Sequence, residues 1–213
     1  MEQGQLNWVA NFIWGIADDV LRDLYVRGKY RDVILPMTVL RRLDAVLESS
    51  KQAVLDMKAS LDKAGITNQD QALRQAAGQA FYNTSKFTLR DLKARASQQQ
   101  LKADFEAYLD GFSPNVQDIL DNFEFRNQIP RLSKADALGT LIEKFTSADI
   151  DLSPNGLDNH GMGTVFEELV RFNEENNEEA GEHWTPRDAV KLMAKLILLP
   201  VADENRRESM MRL

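Results

Sequence analysis

The spacing of the apolar residues constrains this chain most strongly, because it follows the helical period of about 3.6 residues almost throughout. One face of the first predicted helix collects Leu6, Val9, Ala10, Ile13, Ala17, Val20, Leu21 and Leu24. Glycine and proline, which interrupt helices, number only 11 and 6 among 213 residues. Strict alternation of apolar and polar residues, which is typical of strands, is not evident. The sequence therefore predicts an all-α fold, built as a bundle of several helices.

A second apolar pattern runs from Tyr30 towards Leu61, and Pro36 lies inside it. Because proline removes a helical hydrogen bond, we expect either a kink at Pro36 or a short helix followed by a long one. Glycines, asparagines and a proline cluster in residues 149–163, which predicts a loop. We therefore divide the chain into a helical domain at 1–148, a loop and further helices at 149–199, and a tail at 200–213.

The composition disfavours several classes of site. Cysteine is absent, which excludes disulfides, thiolate nucleophiles and cysteine-based zinc sites and suits a reducing cytosol. The two histidines, His160 and His183, have no second ligand at metal-binding spacing, so we expect no metal. The N-terminus does not resemble a secretory signal, and no apolar run approaches the roughly 20 residues that span a bilayer. We therefore expect a soluble, cytoplasmic protein.

One short motif carries groups that suit a ligand: Gly181-Glu182-His183-Trp184-Thr185-Pro186-Arg187-Asp188. Thr185 can cap a helix that Pro186 begins, and Asp188 completes a variant of the capping box. A well-formed helix start explains these three residues but not Glu182 or Trp184. Alternatively, the free N–H groups at the helix start bind an anionic group, and the ring of Trp184 packs beside that ligand. The local pattern by itself favours the plain helix start.

Three separated stretches resemble the modification subunits of type I restriction-modification systems, which methylate adenine N6 in DNA with S-adenosylmethionine. Residues 13–22 hold a Trp-then-Asp-x-Leu-Arg pattern, and residues 30–43 form an aromatic and apolar helix that ends in Leu-Arg-Arg-Leu. Residues 161–170 then lead into the Gly-Glu-x-Trp-Thr-Pro element at 181–186. Their shared order and spacing make the resemblance specific, and it covers the chain up to about Pro200.

The resemblance gives the motif at 181–186 a role, because this element helps to hold S-adenosylmethionine in the family. It implies that Glu182, Trp184, Thr185 and Pro186 are cofactor-binding residues. The family's catalytic Asn-Pro-Pro-Phe/Tyr motif and its glycine-rich cofactor loop do not occur in these 213 residues. The resemblance thus implies a helical region truncated before an α/β methyltransferase domain, with no catalytic residue and no activity on its own.

The resemblance also implies partners: a specificity subunit, a restriction subunit, a second modification subunit and, through the complex, double-stranded DNA. A formal net charge of -7 and a pI of about 5.0 disfavour a freestanding DNA-binding domain. Two local basic clusters are candidate phosphate contacts, comprising Arg22, Arg27, Lys29 and Arg31, and Arg90, Lys93, Arg95 and Lys102. Residues 173–179, by contrast, form an acidic run that would repel phosphate.

A second hypothesis stays open, in which the chain is a stand-alone helical module that binds protein partners and uses no cofactor. The coding sequence that follows Leu213 distinguishes the two hypotheses. An Asn-Pro-Pro-aromatic motif there favours the methyltransferase subunit, whereas a stop codon favours the stand-alone module.

Overall fold

The computed structural model describes residues 3–93, 98–175 and 187–198. Within these ranges the regular structure is helical, and the remaining pairing is one isolated antiparallel bridge between Asn83 and Phe112. The prediction of an all-α fold is confirmed. The helices are α1 (Gln3–Leu21), α2 (Arg31–Leu47), α3 (Lys51–Lys63), α4 (Asp70–Ala77), α5 (Leu89–Lys93), α6 (Gln98–Asp110), α7 (Pro114–Asn122), α8 (Ile129–Lys134), α9 (Ala137–Phe145), α10 (Asn159–Glu175) and α11 (Arg187–Leu198).

The first of two compact units, Met1–Glu178, is organised around α1 and α9. α1 packs against α2, α9 and α10, while α5, α6 and α8 pack against α9. The apolar spacing of α1 explains its position, since Leu6, Val9, Ile13 and Ala17 are all buried on one helical face. α3 and α4 pack against each other.

Of the two alternatives predicted at Pro36, the structure excludes a short helix that ends at this residue. α2 continues through Pro36, and the helical chain is interrupted later, at a short 3-10 turn over Glu48–Ser50. Proline leaves the carbonyl of Asp32 without its helical N–H donor. Packing offsets this loss, because Pro36 and its neighbours Leu35 and Met37 are buried, and tertiary contacts supply most of a helix's stability in a folded protein.

Gly111, just after α6, lies where a neighbouring segment comes too close for a side chain. A Cβ atom at Gly111 would lie 2.5 Å from the backbone nitrogen of Ser85 and 2.7 Å from Oδ1 of Asn83. The carbonyl of Gly111 also accepts a hydrogen bond from the N–H of Thr84, at 2.8 Å. This contact fixes the segment between α4 and α5 against the end of α6.

We expect Gly111→Ala to lower the free energy of unfolding by about 1 to 3 kcal/mol, because backbone atoms must shift to admit the methyl group. Gly15→Ala is the matched control, since Gly15 lies inside α1 and a Cβ there would meet no atom within 4 Å. That change should stabilise the protein by about 0.5 to 1 kcal/mol, because alanine favours the helix. Urea unfolding of the two variants measures both effects, and equal shifts would contradict the close approach at Gly111.

In the second compact unit, Glu179–Leu213, the structure describes the helix α11. Five large apolar side chains of α11 are exposed, namely Val190, Leu192, Met193, Leu196 and Ile197. Across the described ranges, no helix combines the length and the hydrophobicity that a membrane span requires. The division at residue 148 remains a prediction, and the predicted tail at 200–213 lies outside the described residues.

Candidate nucleic-acid interface

The predicted cofactor residues, Glu182, Trp184, Thr185 and Pro186, lie outside the described residues. The described part of the chain resumes with α11, which begins at Arg187, immediately after Pro186. The predicted helix start at Thr185 and Pro186 therefore remains a prediction. The assignment of the four residues to a cofactor remains a prediction.

The first predicted basic cluster surrounds the junction between α1 and α2. Arg27 is engaged by Asp18, because its Nη2 donates to the two carboxylate oxygens at 3.0 and 2.9 Å. The Nε of Arg31 lies 3.6 Å from Oδ1 of Asp32. Arg22 is exposed and, among the described residues, takes part in no side-chain hydrogen bond or ion pair. A phosphate at this junction could bind Arg22 without displacing another group. To bind Arg27 or Arg31, it would have to compete with the carboxylate that each of them already contacts.

The second predicted cluster consists of surface ion pairs. Arg90 contacts Glu48 at 2.7 Å, Lys93 contacts Glu143 at 3.3 Å, and Lys102 contacts Glu106 at 3.7 Å. Arg95 lies outside the described residues. Exposed pairs of this kind contribute about 0 to 1 kcal/mol, so DNA could exchange a phosphate for the carboxylate. Contact between these residues and DNA remains a prediction, and each contact would replace an existing ion pair.

Arg131 of α8 is a further cation that lies beside the first cluster, although it is distant in sequence. Its guanidinium carbon is 4.2 Å from the ring centroid of Tyr25, which follows α1. The ring of Tyr25 is buried, and its hydroxyl donates to Oε1 of Gln128 at 3.1 Å. Arg131 itself is exposed. Sequence reasoning missed it, because no local pattern marks an arginine that stacks on a tyrosine more than 100 residues earlier in the chain.

A cleft of about 360 Å³ lies beside this contact, between the start of α2 and the turn after α7. Its lining residues are Arg31, Asp32, Leu35, Asn122, Phe123, Glu124 and Gln128. Burial raises the pKa of Asp32, while the neighbouring Arg31 and Lys29 oppose that rise. The cleft thus contains two carboxyl side chains, and the cations Lys29 and Arg31 lie close to one of them.

The arginines of the Leu-Arg-Arg-Leu element, Arg41 and Arg42, are buried and therefore not available to DNA. Arg42 Nη1 donates to the carbonyl oxygens of Leu152 and Leu157, at 2.8 and 2.6 Å. Its Nη2 donates to Oδ1 of Asn159, the first residue of α10, at 2.8 Å. Arg42 therefore fastens the loop between α9 and α10 to α2. This part of the family pattern serves the fold.

Asp44, one turn after Arg41, is the centre of a second buried polar network. The hydroxyl of Tyr108 and the N–H of Leu89 both donate to Asp44 Oδ1, at 3.0 and 3.2 Å. Nη1 of Arg41 lies 3.9 Å from Asp44 Oδ2, and Nε of Arg41 donates to the carbonyl of Phe145 at 3.2 Å. Burial raises the pKa values of Asp44 and Tyr108. The network connects α2 with α5, α6 and α9.

Lys51, at the start of α3, gives a prediction for the pH dependence of stability. Its Nζ donates to Oδ1 of Asn83 at 3.1 Å, and burial lowers its pKa from 10.5 to about 8 although Asp44 and Asp91 oppose the shift. Below pH 8 the folded state must hold a charged, partly buried ammonium, which reduces stability. This reduction disappears as the pH rises from about 8 to 10.5, because Lys51 loses its proton at a lower pH in the folded protein than in the unfolded chain.

We therefore expect the wild type to gain stability relative to Lys51→Met between pH 8 and 10. Urea unfolding of both proteins at several pH values measures this difference. The tyrosines also titrate in this range, but they are present in both proteins, so their effect cancels when the two free energies of unfolding are subtracted. Lys58→Met is the control for the loss of one lysine charge, because Lys58 forms an exposed pair with Asp62. Parallel curves for Lys51→Met would contradict the shifted pKa.

Residues 13–21, 31–43 and 161–170, which carry most of the family resemblance, lie in α1, α2 and α10, and these three helices pack against one another. The ring centroid of Trp14 in α1 lies 5.7 Å from that of Tyr30, just before α2, and 5.8 Å from that of Phe172 in α10. Gly161 allows α10 to approach α1 closely, since a Cβ there would lie 3.1 Å from Cδ2 of Leu6. Residues distant in sequence thus form one packed unit of α1, α2 and α10.

A family model described as the HsdM N-terminal domain matches residues 9–145, which is more than half of the chain. The match includes the first two of the three stretches and the buried arginines of α2. No curated protein and no solved structure matched the chain. The chain belongs to the family of HsdM N-terminal domains, the N-terminal region of the modification subunit of type I restriction-modification systems.

Proposed function

We propose that this chain is the helical part of an adenine-N6 DNA methyltransferase and packs against the catalytic domain, the specificity subunit and bound DNA. The observation that carries the proposal is the packing of α1, α2 and α10 around Trp14, together with the family match over residues 9–145. α10 continues in sequence towards the element at 181–186.

The proposed partners follow from membership of this family. A specificity subunit would choose the DNA sequence, while a second modification subunit and a restriction subunit would complete a cytoplasmic complex. Co-expression of the chain with the specificity subunit and the catalytic region from the same genome tests this assembly. We expect the three to elute together in gel filtration. Separate elution at micromolar concentration would contradict the proposal and would favour the stand-alone module.

The donor set at residues 182–186 suits S-adenosylmethionine, which would supply the methyl group. The carboxylate of Glu182 can accept hydrogen bonds from hydroxyl or ammonium groups, and the ring of Trp184 can pack on a flat base or face a cation. The hydroxyl of Thr185 can donate to a carboxylate. α11 follows at Arg187, and the positive end of a helix dipole at its N-terminus favours an anion. These residues would bind and orient the cofactor.

We expect Thr185→Ala and Trp184→Ala, made in the complete enzyme, to lower cofactor affinity more than they lower fold stability. Loss of a helix cap alone should cost about 0.5 to 2 kcal/mol of stability. Loss of a ligand contact worth about 1.4 kcal/mol should weaken cofactor binding tenfold. Calorimetric binding of S-adenosylmethionine and thermal unfolding, measured on the same variants, distinguish the two roles.

Thr185→Ser is the matched control for these variants, because it keeps a hydroxyl that can serve either the helix or a ligand. Its cofactor affinity should stay close to that of the wild type. If Thr185→Ala and Trp184→Ala melt earlier but bind the cofactor unchanged, the segment is only a helix start.

A further inference from the structure

Resting on the proposed function, we propose that Arg131 binds a backbone phosphate of duplex DNA. It would extend the basic cluster at the α1–α2 junction onto α8. The proposal names a residue outside both predicted basic clusters and follows from four observations. These are its contact with Tyr25, the anchoring of that ring, the absence of a described acidic partner and the position of neighbouring cations.

The first observation is the stacking of Arg131 on Tyr25. The guanidinium lies over the ring at 4.2 Å from the centroid, within the range of a cation–π contact. Stacking uses the flat face of the guanidinium and leaves the N–H groups along its edge able to donate. An arginine held in this way loses little conformational freedom when it binds a phosphate, and its planar fork matches two phosphate oxygens.

The second observation is that the ring beneath Arg131 is itself fixed. Tyr25 is 7% exposed, and its hydroxyl donates to Gln128 at 3.1 Å. Gln128 immediately precedes α8, which carries Arg131. The tyrosine thus connects the end of α1 with the start of α8, and the arginine is held over a rigid platform.

The third observation is the contrast between Arg131 and three of the cations predicted from the sequence. Arg27, Arg90 and Lys93 each contact a carboxylate, at 2.9, 2.7 and 3.3 Å. Among the residues that the structure describes, Arg131 contacts no carboxylate and is exposed. A phosphate can therefore bind Arg131 without displacing an acidic side chain.

The fourth observation is the electrostatic setting of Tyr25 and Asp32. Burial raises the pKa of Tyr25, Arg131 opposes the rise, and Asp32 adds to it. Arg31 and Lys29 in turn oppose the raised pKa of Asp32. Arg131 therefore lies near Tyr25, and Arg31 and Lys29 lie near Asp32, with Arg31 Nε 3.6 Å from Asp32 Oδ1.

The charges in the cleft decide which anion fits. Asp32 and Glu124 line the cleft and would repel a small free anion inside it. A polyanion that crosses the surface would instead meet Arg131, which is not among the lining residues of the cleft. The arrangement therefore favours the successive phosphates of a nucleic-acid backbone, and the proposed function makes that nucleic acid duplex DNA.

The test measures duplex DNA binding by the complete modification subunit in complex with its specificity subunit, as a function of salt. Arg131→Met removes the charge and keeps an apolar stem, whereas Arg131→Lys keeps the charge and removes the planar fork. Lys63→Met is the control, because Lys63 is an exposed lysine at the end of α3 and its replacement changes the net charge equally.

Loss of one phosphate contact should reduce the slope of log K against log salt by about 0.9 and weaken binding about fivefold to tenfold near 0.1 M salt. We expect this change in Arg131→Met, a smaller loss of affinity in Arg131→Lys, and the wild-type slope in Lys63→Met. A purely structural role for Arg131 would lower the melting temperature and leave the slope unchanged.

Two other results would overturn the proposal in distinguishable ways. If the wild-type complex binds and methylates DNA and Arg131→Met has the wild-type slope, Arg131 is not a phosphate contact, but the proposed function stands. If the wild-type chain enters no DNA-binding complex with a specificity subunit, both proposals fail together.

Discussion

Replacing Arg42 with methionine should lower the free energy of unfolding by about 2 to 4 kcal/mol. The change removes three hydrogen bonds, at 2.6 to 2.8 Å, that a buried guanidinium donates to the loop between α9 and α10. Leu152 and Leu157, whose carbonyls accept two of these bonds, are almost fully buried. Their carbonyls would lose a partner in a place that water does not readily reach. The loss is limited because methionine also removes a charge whose burial is itself unfavourable.

Chemical denaturation measures this loss, and amide hydrogen exchange locates it. Exchange should accelerate most in residues 150–160, because Arg42 fastens this segment to α2. Arg22→Met is the matched control. It removes an exposed arginine just after α1 and should change the free energy of unfolding by less than about 0.5 kcal/mol. Similar effects of the two substitutions would contradict the fastening role of Arg42.

The second large effect is expected for Asp44→Ala, which should cost about 3 kcal/mol. The carboxylate accepts hydrogen bonds from the hydroxyl of Tyr108 and the N–H of Leu89, and it lies 3.9 Å from the buried guanidinium of Arg41. Alanine would leave all three groups without this acceptor. Each buried donor that lacks a partner carries a desolvation penalty of about 1 to 3 kcal/mol.

Asp44→Asn distinguishes the loss of an acceptor from the loss of a charge. Asparagine keeps one carbonyl oxygen that can accept from Tyr108 or Leu89, so it should cost about 1 kcal/mol. Burial raises the pKa of Asp44, which means that the charged form is unfavourable and that its removal recovers part of the loss. An equal cost for Asp44→Ala and Asp44→Asn in urea unfolding would contradict the role of Asp44 as an acceptor.

Helical periodicity predicted most of the fold, because apolar residues at helical spacing must bury one face. The stripe that begins at Leu6 became the buried face of α1, and Gly65 ends the α3 segment with a positive φ of 69°. Periodicity could not locate the interruption of the second pattern at Glu48–Ser50 instead of Pro36. That outcome depends on the tertiary packing of α2, which spacing within one segment does not contain.

Local sequence was a weaker guide to the candidate interface. It identified basic residues but could not reveal which of them contact carboxylates, because Arg90 meets Glu48 and Lys93 meets Glu143 only after the chain has folded. For the same reason it could not identify Arg131, whose contact with Tyr25 joins α8 to the turn after α1. Pairing across the fold, rather than the number of charges, determines which cations a phosphate can reach.

The family pattern also acquires a physical meaning in the folded chain. Arg41 and Arg42 donate to backbone carbonyls in the interior, and Trp14 packs between Tyr30 and Phe172. Most of these groups assemble the helical unit rather than contact a ligand. The residues proposed to act on a ligand therefore lie elsewhere, in the segment at 182–186 and on the surface near Tyr25.

The central claim is that this chain contributes to methylation as one part of a larger enzyme. Methyl transfer in a reconstituted mixture tests it most directly. The chain, the catalytic region and the specificity subunit are purified separately, and transfer of a labelled methyl group from S-adenosylmethionine to adenine N6 in duplex DNA is measured for each and for the mixture. We expect no transfer by the chain alone and transfer by the mixture that depends on the chain. Transfer by the pure chain, or equal activity of the mixture without it, would contradict the claim.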